Sequence, residues 1–366
     1  MRNLRVLSDL INIRSYDDEK NIVSYLKDIF KENSKEIVEV ESSNFKKNIL
    51  VGVNCNLTNI EPIVLSGHID TVNADEDNYQ TNPYELVIKD DKAYGLGVID
   101  MKCFTSSIID KIEEIKKLKY PVVLAFTTDE ETELKGIECL IDECEKRNIR
   151  PKFTIIGEPT SMKISNISNG CFEYKVEVYG KSCHSSTPQN GINAICIMAK
   201  LITFIEELSN KYTDLVMNSN IVSGGTIINR IPDYASMSFD IRTTNIDNYK
   251  EVIDLINKKI SSLKDEYKTN IEITKQLEIP PLSCKNKENI NKLANKLNLE
   301  ISSFSGGCEA GYYESYSGEA ILFGVGDLSL AHKPNEYMII DDYYKYNDIL
   351  TDMLNEIGNI YYKGTC

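Results

Sequence analysis

Four short runs constrain this chain more than anything else in it: KKNILVGV, EPIVLSGHIDTV, YPVVLAFTTDEE and KFTIIGEP. Each is rich in β-branched residues and nearly continuous in apolar character, so a strand built from it has no polar face to offer water. Such strands must be covered on both faces. The helical stretches over residues 101–118 and 136–147, which separate the later runs, supply the cover and predict an α/β sheet. Ahead of them, apolar residues at helical spacing over residues 5–32 predict two helices broken near Ser15.

From Cys171 the order changes. A strand over 171–180, a helix over 193–211, strands over 220–229 and 234–244, a helix over 249–267 and a strand over 270–279 give β-α-β-β-α-β. That is the ferredoxin-like unit, two helices on one face of a four-stranded antiparallel sheet. After Pro280-Pro281 come a helix over 288–296, the turn Ser305-Gly306-Gly307, a strand over 320–326 and a helix over 341–362. The 366 residues therefore read as a discontinuous α/β domain, 1–168 with 280–366, and an α+β domain inserted over 169–279.

The balance of 41 Lys and Arg against 56 Asp and Glu leaves a net charge of −15, which repels nucleic acid and anionic membranes and favours small-molecule partners. No segment is apolar for long enough to span a bilayer, and the start lacks a signal-like apolar stretch, so a cytoplasmic location is expected. Ten scattered cysteines without a CxxC pair read as reduced thiols.

Only three histidines occur. His68 ends an apolar run in SGHID, two residues from Asp70 and on the same strand face. Asp100, the run Asp129-Glu130-Glu131 and Glu158 follow strands, where the carboxyl ends of an open sheet form a crevice. Any one of these acids alone reads as a solvated loop carboxylate. Crowded at one sheet edge with His68 and with His332 of AHKPNE, they would repel one another unless a multivalent cation neutralised them. Two imidazoles and three carboxylates make a ligand set for two Zn²⁺-like ions.

The stretches SGHIDTV, YGLGVIDMK, TTDEET, IIGEPTS, GKSCHSS, INRIPDYASMSFDIR and AHKPNE, spread in that order over nearly the whole chain, resemble the co-catalytic zinc aminoacylases and peptidases of family M20. The resemblance implies a zinc-exopeptidase-like catalytic domain with the inserted domain as lid and dimerisation module, and two divalent ions per chain, Zn²⁺ or Co²⁺. It implies that His68, Asp100 and Glu158 hold one ion and Asp100, Glu131 and His332 the other, that Glu130 is the general base, and that Asp70 orients His68. It also implies a cis bond between Asp100 and Met101, a His184 that serves the active site of the partner in a homodimer, and Asn229 and Arg242 as ligands of the substrate backbone and carboxylate.

Within the family, IIGEPTS, YGLGVIDMK and Cys308-Glu309-Ala310 are similar to the acetylornithine deacetylase branch. That branch cleaves N2-acetyl-L-ornithine to ornithine and acetate in arginine biosynthesis. A succinyl-diaminopimelate desuccinylase, a dipeptidase or another N-acyl amino acid hydrolase on the same centre is the alternative, and a non-catalytic amino-acid-binding protein a further one. Cys103 and Cys308 depart from the family's usual glycine and threonine.

Overall fold

The computed structural model describes residues 4–16, 18–42, 46–74 and 76–362. Contacts divide them into two compact units, one built from residues up to 167 with 284–304 and 309 onward, the other from 168–283 with 305–308.

The first unit opens with helices α1 (Arg5–Asn12) and α2 (Lys20–Phe30), whose buried Leu7, Leu10, Ile11, Ile22, Val23, Leu26 and Phe30 follow the three-and-four spacing of an apolar stripe. The break between them holds buried Ser15, whose carbonyl accepts from Thr71 N at 3.3 Å. Then follow β1 (Glu36–Glu41), β2 (Lys47–Gly52), β3 (Ile63–His68), β4 (Val87–Lys89), β5 (Lys92–Tyr94), α3 (Lys102–Asp110), α4 (Ile112–Ile115), β6 (Val122–Thr127), α5 (Lys135–Arg147), β7 (Phe153–Ile156) and β8 (Ile164–Ser168).

After the second unit, with its β9 (Gly170–Tyr179), α6 (Ala194–Ser209), β10 (Leu215–Gly224), β11 (Tyr234–Thr243), α7 (Ile246–Tyr267) and β12 (Asn270–Ile279), the chain returns. It adds α8 (Lys287–Leu297), β13 (Ile301–Phe304), α9 (Ala310–Tyr316), β14 (Glu319–Leu322), β15 (Tyr337–Ile339) and α10 (Ile340–Tyr361).

The large sheet runs β1-β2-β6-β3-β7-β14-β8-β13. Its middle strands β6, β3, β7 and β14 are parallel neighbours, while β1 and β2 on one side and β8 on the other join antiparallel. Every residue of β3, β6 and β7 is buried, as their continuous apolar character requires. The carboxyl ends of these three strands share one edge, and the residues that follow them are those singled out from the sequence. A separate three-stranded sheet, β15-β5-β4, pairs Tyr337 with Tyr94, Met338 with Ala93 and Ile339 with Lys92. This ribbon ties the segment entering Gly95 to the segment leaving Glu336.

In the second unit the antiparallel order is β10-β11-β9-β12, the ferredoxin-like arrangement read from the sequence. Phe172, Tyr174, Val176 and Val178 of β9 and Ala235, Met237, Phe239 and Ile241 of β11 are buried in alternation, in one core with Ile197, Leu201, Val252 and Ile256 of the helices. Asn193 and Asn245 cap α6 and α7, their side chains accepting from Cys196 N and from Asp247 N and Asn248 N.

One strand is displaced from expectation. The run over 220–229 is not a strand throughout: β10 spans Leu215–Gly224, because Leu215 and Met217 reach the core and Gly225, at φ +72°, turns the chain away. The turn at 305–308 groups with this unit through Asn169 Nδ2, which donates to Ser305 O at 3.1 Å, and Gly307, which lies against Ile279. No helix among the described residues is long and apolar enough to cross a membrane.

Candidate metal centre

His68 closes β3 and is 1% exposed. Its Nδ1 lies 3.1 Å from the carbonyl oxygen of Asp70, which can only accept, so Nδ1 carries a proton. Its Nε2 lies 3.1 Å from Asp100 Oδ1. A neutral imidazole in that tautomer turns a lone pair onto a carboxylate oxygen, and two lone pairs at this distance need positive charge between them. In the bare chain a proton meets the need, since the contact with Asp100 and the nearby charges of Glu130 and Asp70 outweigh burial and hold the His68 pKa well above 6.5. A divalent cation meets it as well.

The other oxygen of Asp100 repeats the arrangement. Its Oδ2 stands 3.1 Å from His332 Nε2, which is also 2.9 Å from Glu131 Oε2. Two groups of ligand atoms result, His68 with Asp100 and Glu158, and Asp100 with Glu131 and His332, each with all its atoms within 4.8 Å of one another. Asp100 belongs to both. Its peptide bond to Met101 is cis. Imidazole nitrogen and carboxylate oxygen are what a Zn²⁺-like ion takes, so the residues fit two divalent ions.

The electrostatics tell the same story of excess negative charge. Burial pushes the Glu158 pKa up to about 8, with Asp100 adding to it. Glu131 is raised by burial against the pull of the His332 hydrogen bond, and Glu130 is raised well above 4.5 by burial and by the carboxylates of Glu158, Glu131 and Glu309. Asp100 goes the other way: burial would raise it, but the hydrogen bonds from His332 and His68 prevail and keep it ionised.

Glu130 and Glu131 are adjacent, yet only Glu131 joins a ligand group. The loop that separates them is over-determined. Asp129 has φ +69° and Leu134 φ +51°, Lys46 Nζ bridges Glu19 Oε1 at 3.0 Å and Asp129 Oδ1 at 3.1 Å, and Asp70 Oδ2 accepts from Glu131 N at 3.1 Å. Asp70 meets both His68 and this turn. Its main-chain oxygen holds His68, its Oδ1 is 3.7 Å from Nδ1, beyond hydrogen-bond range, and its other carboxylate oxygen fixes the Glu130-Glu131 turn.

Two glycines shape the floor. A Cβ on Gly157 would lie 2.1 Å from Phe104 Cγ, and one on Gly67 would lie 2.9 Å from Phe104 Cδ1. The ring of Phe104, from α3, fills the slot between the residues that precede His68 and Glu158.

The remaining expected residues lie in the second unit. His184 is exposed and forms a bridge with Arg230, and Ser185 N donates to Asn229 O at 3.0 Å, so His184 and Asn229 sit together. Ser186 N donates to His184 Nδ1 at 3.2 Å, which leaves the proton of a neutral ring on Nε2. Arg242 is not brought to them. It lies near the far end of β11, Nε donating to Asp240 Oδ2 at 2.9 Å, roughly eight strand residues or about 27 Å along the chain from Tyr234.

Two buried glutamates escaped the sequence reading. Glu309 is 1% exposed, accepts from Ser66 Oγ at 3.3 Å, and is pushed up to about 7 by burial; Glu336 is 2% exposed and accepts from the backbone before Asp100. Both stand in quoted motifs, Cys308-Glu309-Ala310 and AHKPNE, but nothing in a sequence distinguishes a carboxylate that faces inward.

The chain matches Peptidase family M20/M25/M40 over residues 64–356. It is 33% identical over 291 residues, 75% of each chain, to acetylornithine deacetylase of Buchnera aphidicola subsp. Schizaphis graminum. It is 29% identical over 335 residues to that of Pasteurella multocida, covering 88% of this chain and 86% of the relative. The same fold occurs in aminopeptidase PepT of Bacillus cereus, at TM-score 0.78 and 17% identity over 97% of this chain and 99% of that one. It recurs in the Bacillus subtilis YXEP protein, a dinuclear metal binding peptidase, at TM-score 0.70 and 16% identity over 96% of both. With a family match over most of its length and a ligand set for two ions, this chain belongs to peptidase family M20/M25/M40, as a hydrolase of amides akin to the acetylornithine deacetylases.

Proposed function

We propose that the chain hydrolyses the acyl amide of N2-acetyl-L-ornithine, releasing acetate and L-ornithine, with Zn²⁺ or Co²⁺ as its two ions. The observation that carries this reading is a carboxylate, Glu130, beside two ligand groups that share Asp100 but belonging to neither. A chain that only bound metal or an amino acid would have no use for it. Bound divalent ions would polarise the acyl carbonyl and bring the pKa of a neighbouring water towards neutrality.

Glu130 then takes the water's proton as the water oxygen adds to the acyl carbon. Its burial, the largest cause of its raised proton affinity, persists with the ions bound and suits a base that must hold the proton and then release it. The same proton passes to the amine nitrogen as the C–N bond breaks, so no covalent acyl-enzyme is needed. His184, with Nε2–H free to donate, serves the developing oxyanion and Asn229 beside it the substrate backbone, while Arg242, at the far end of β11, serves the substrate carboxylate from the other chain of the dimer.

The second unit supports a homodimer in which His184 works in the partner subunit's site. β10 is a sheet edge carrying exposed Val216, Ile221 and Val222, and the loop after it exposes Ile227 and Ile228, the latter at 101%. An edge of this kind is a template for a second copy about a two-fold axis.

The relatives named acetylornithine deacetylase favour the acetyl substrate over its rivals. A turnover assay of the metal-loaded protein across N2-acetylornithine, N-succinyl-diaminopimelate and a dipeptide panel tests the choice. The highest kcat/KM is expected for N2-acetylornithine; a higher value for either rival overturns it, and no turnover of any would move the reading to a binding protein.

A further inference from the structure

The stretch that supplies His332 ends four residues later on Glu336, which the mechanism leaves without a task. Its carboxylate is buried, and both oxygens are spent on the backbone of one loop. Oε2 accepts from Gly97 N at 3.0 Å, and Oε1 accepts from Ile99 N at 2.8 Å and from Asp100 N at 3.3 Å. The main chain adds to the grip, since Gly95 N donates to Glu336 O at 3.3 Å, just where the β5–β15 pairing begins. Gly97, at φ +75°, gives the loop the curvature that turns successive N–H groups to one side, and a Cβ there would lie 2.9 Å from Thr71 Cγ2.

The gripped loop is the one that delivers Asp100, and the gripping loop is the one that delivers His332. These two residues meet at 3.1 Å, Nε2 to Oδ2, although 232 positions separate them in the chain. We infer that Glu336 is a positioning residue: it sets the separation of Asp100 and His332, and with it the affinity of the ion position formed by Asp100, Glu131 and His332. This rests on the two-ion reading above.

The acceptor count makes the role testable without changing side-chain volume. Three N–H groups need two acceptor oxygens, and a glutamine offers one oxygen and an NH₂ that would face a donor. Glu336→Gln therefore keeps the shape while forcing the loops apart.

Metal-free protein is titrated with Zn²⁺ alone under chelator competition, and His332→Ala identifies which binding step belongs to the His332 position. In Glu336→Gln the His332 step is expected to weaken about 10- to 100-fold, and by more than the other step, which shares Asp100 but not the His332 loop, as for partners that orient metal ligands. Both steps within about threefold of wild type would overturn the inference, and so would a variant that does not fold, since the carboxylate would then serve folding rather than the ion.

Amide exchange on the unmodified metal-free chain gives an independent measurement. The Gly97 and Ile99 amides are expected to be protected, and exchange at the rate of an open loop would overturn the clamp. A wild-type chain that binds fewer than two ions would instead sink the two-ion reading, which keeps the two failures apart.

Discussion

Glu130 and Glu131 share a side chain, a turn and a raised proton affinity, and differ in what their oxygens meet. Glu131 has His332 at 2.9 Å; the strongest influences on Glu130 are its burial, the charge of His68 and the carboxylates of Glu158, Glu131 and Glu309. Glu130→Gln should therefore bind two ions per chain, counted by metal analysis, while kcat falls by about 10²- to 10⁴-fold. Glu131→Gln should lose affinity for one ion, and the reverse pattern would exchange the two roles.

The crowd of acids also gives the metal-free chain a pH dependence with a definite sign. Glu158 titrates at about 8 in the folded state and near 4.5 when unfolded, so the fold binds the extra proton. That contribution is complete below about 4.5 and is lost as pH rises through about 8. His68 and His332, both raised, act in the same direction. Lys102, pushed down to about 7 by burial, opposes them only above that pH. Thermal unfolding in chelator should therefore show a lower Tm at pH about 7 than at about 5, and saturating Zn²⁺ should cancel the fall, because bound metal replaces the protons.

Among the elements, the clearest unit is the slot made by β3, β7 and α3. Gly67 and Gly157 leave room for Phe104, whose ring is held from both sides. Gly157→Ala should destabilise the protein by about 1–3 kcal/mol, since an aromatic ring inside a buried helix has nowhere to move. It should also weaken the ion held by Glu158, one residue on; denaturant unfolding and metal titration check the pair.

The strands of this slot were legible from sequence because β3, β6 and β7 are covered on both faces and so carry unbroken apolar runs. β1, β4, β13 and β15 were not, because short or edge strands such as EIVEVE keep polar and charged residues that match a loop equally well. Among the metal-ligand candidates, His68, Glu131 and Glu158 were legible because they end or closely follow those runs, whereas Asp100 and His332 lie in the loops after β5 and β14 and were legible only through the motifs YGLGVIDMK and AHKPNE. Glu309 and Glu336 were hidden, since their partners, Ser66 and the amides of Gly97 and Ile99, lie more than 200 positions away.

For the whole molecule, the decisive prediction concerns shared sites. If His184 serves the partner's centre, chains carrying His184→Ala and Glu130→Gln, each inactive, should recover activity when mixed and allowed to exchange. With random exchange, half the dimers are hybrids with one intact site, so the plateau should approach about a quarter of the wild-type rate. No recovery despite proven exchange would place the work of His184 within its own chain. Substituting Ile221 or Val222 with Lys should lower the sedimentation mass to that of one chain if the β10 edge is the seam, because a charge at the edge of a sheet discourages pairing.

The order in which the ribosome delivers the parts adds a last consequence. His68, Asp100, Glu131 and Glu158 are all synthesised before the second unit begins, whereas His332 and β14, the strand between β7 and β8, come only after it ends. A nascent chain halted at the end of the second unit therefore carries one complete ligand group, one incomplete group, and a central sheet with a gap where β14 belongs. Completion of the second ion position and closure of the sheet become the same late event, so metal loading of the finished pair reports that the whole first unit has assembled.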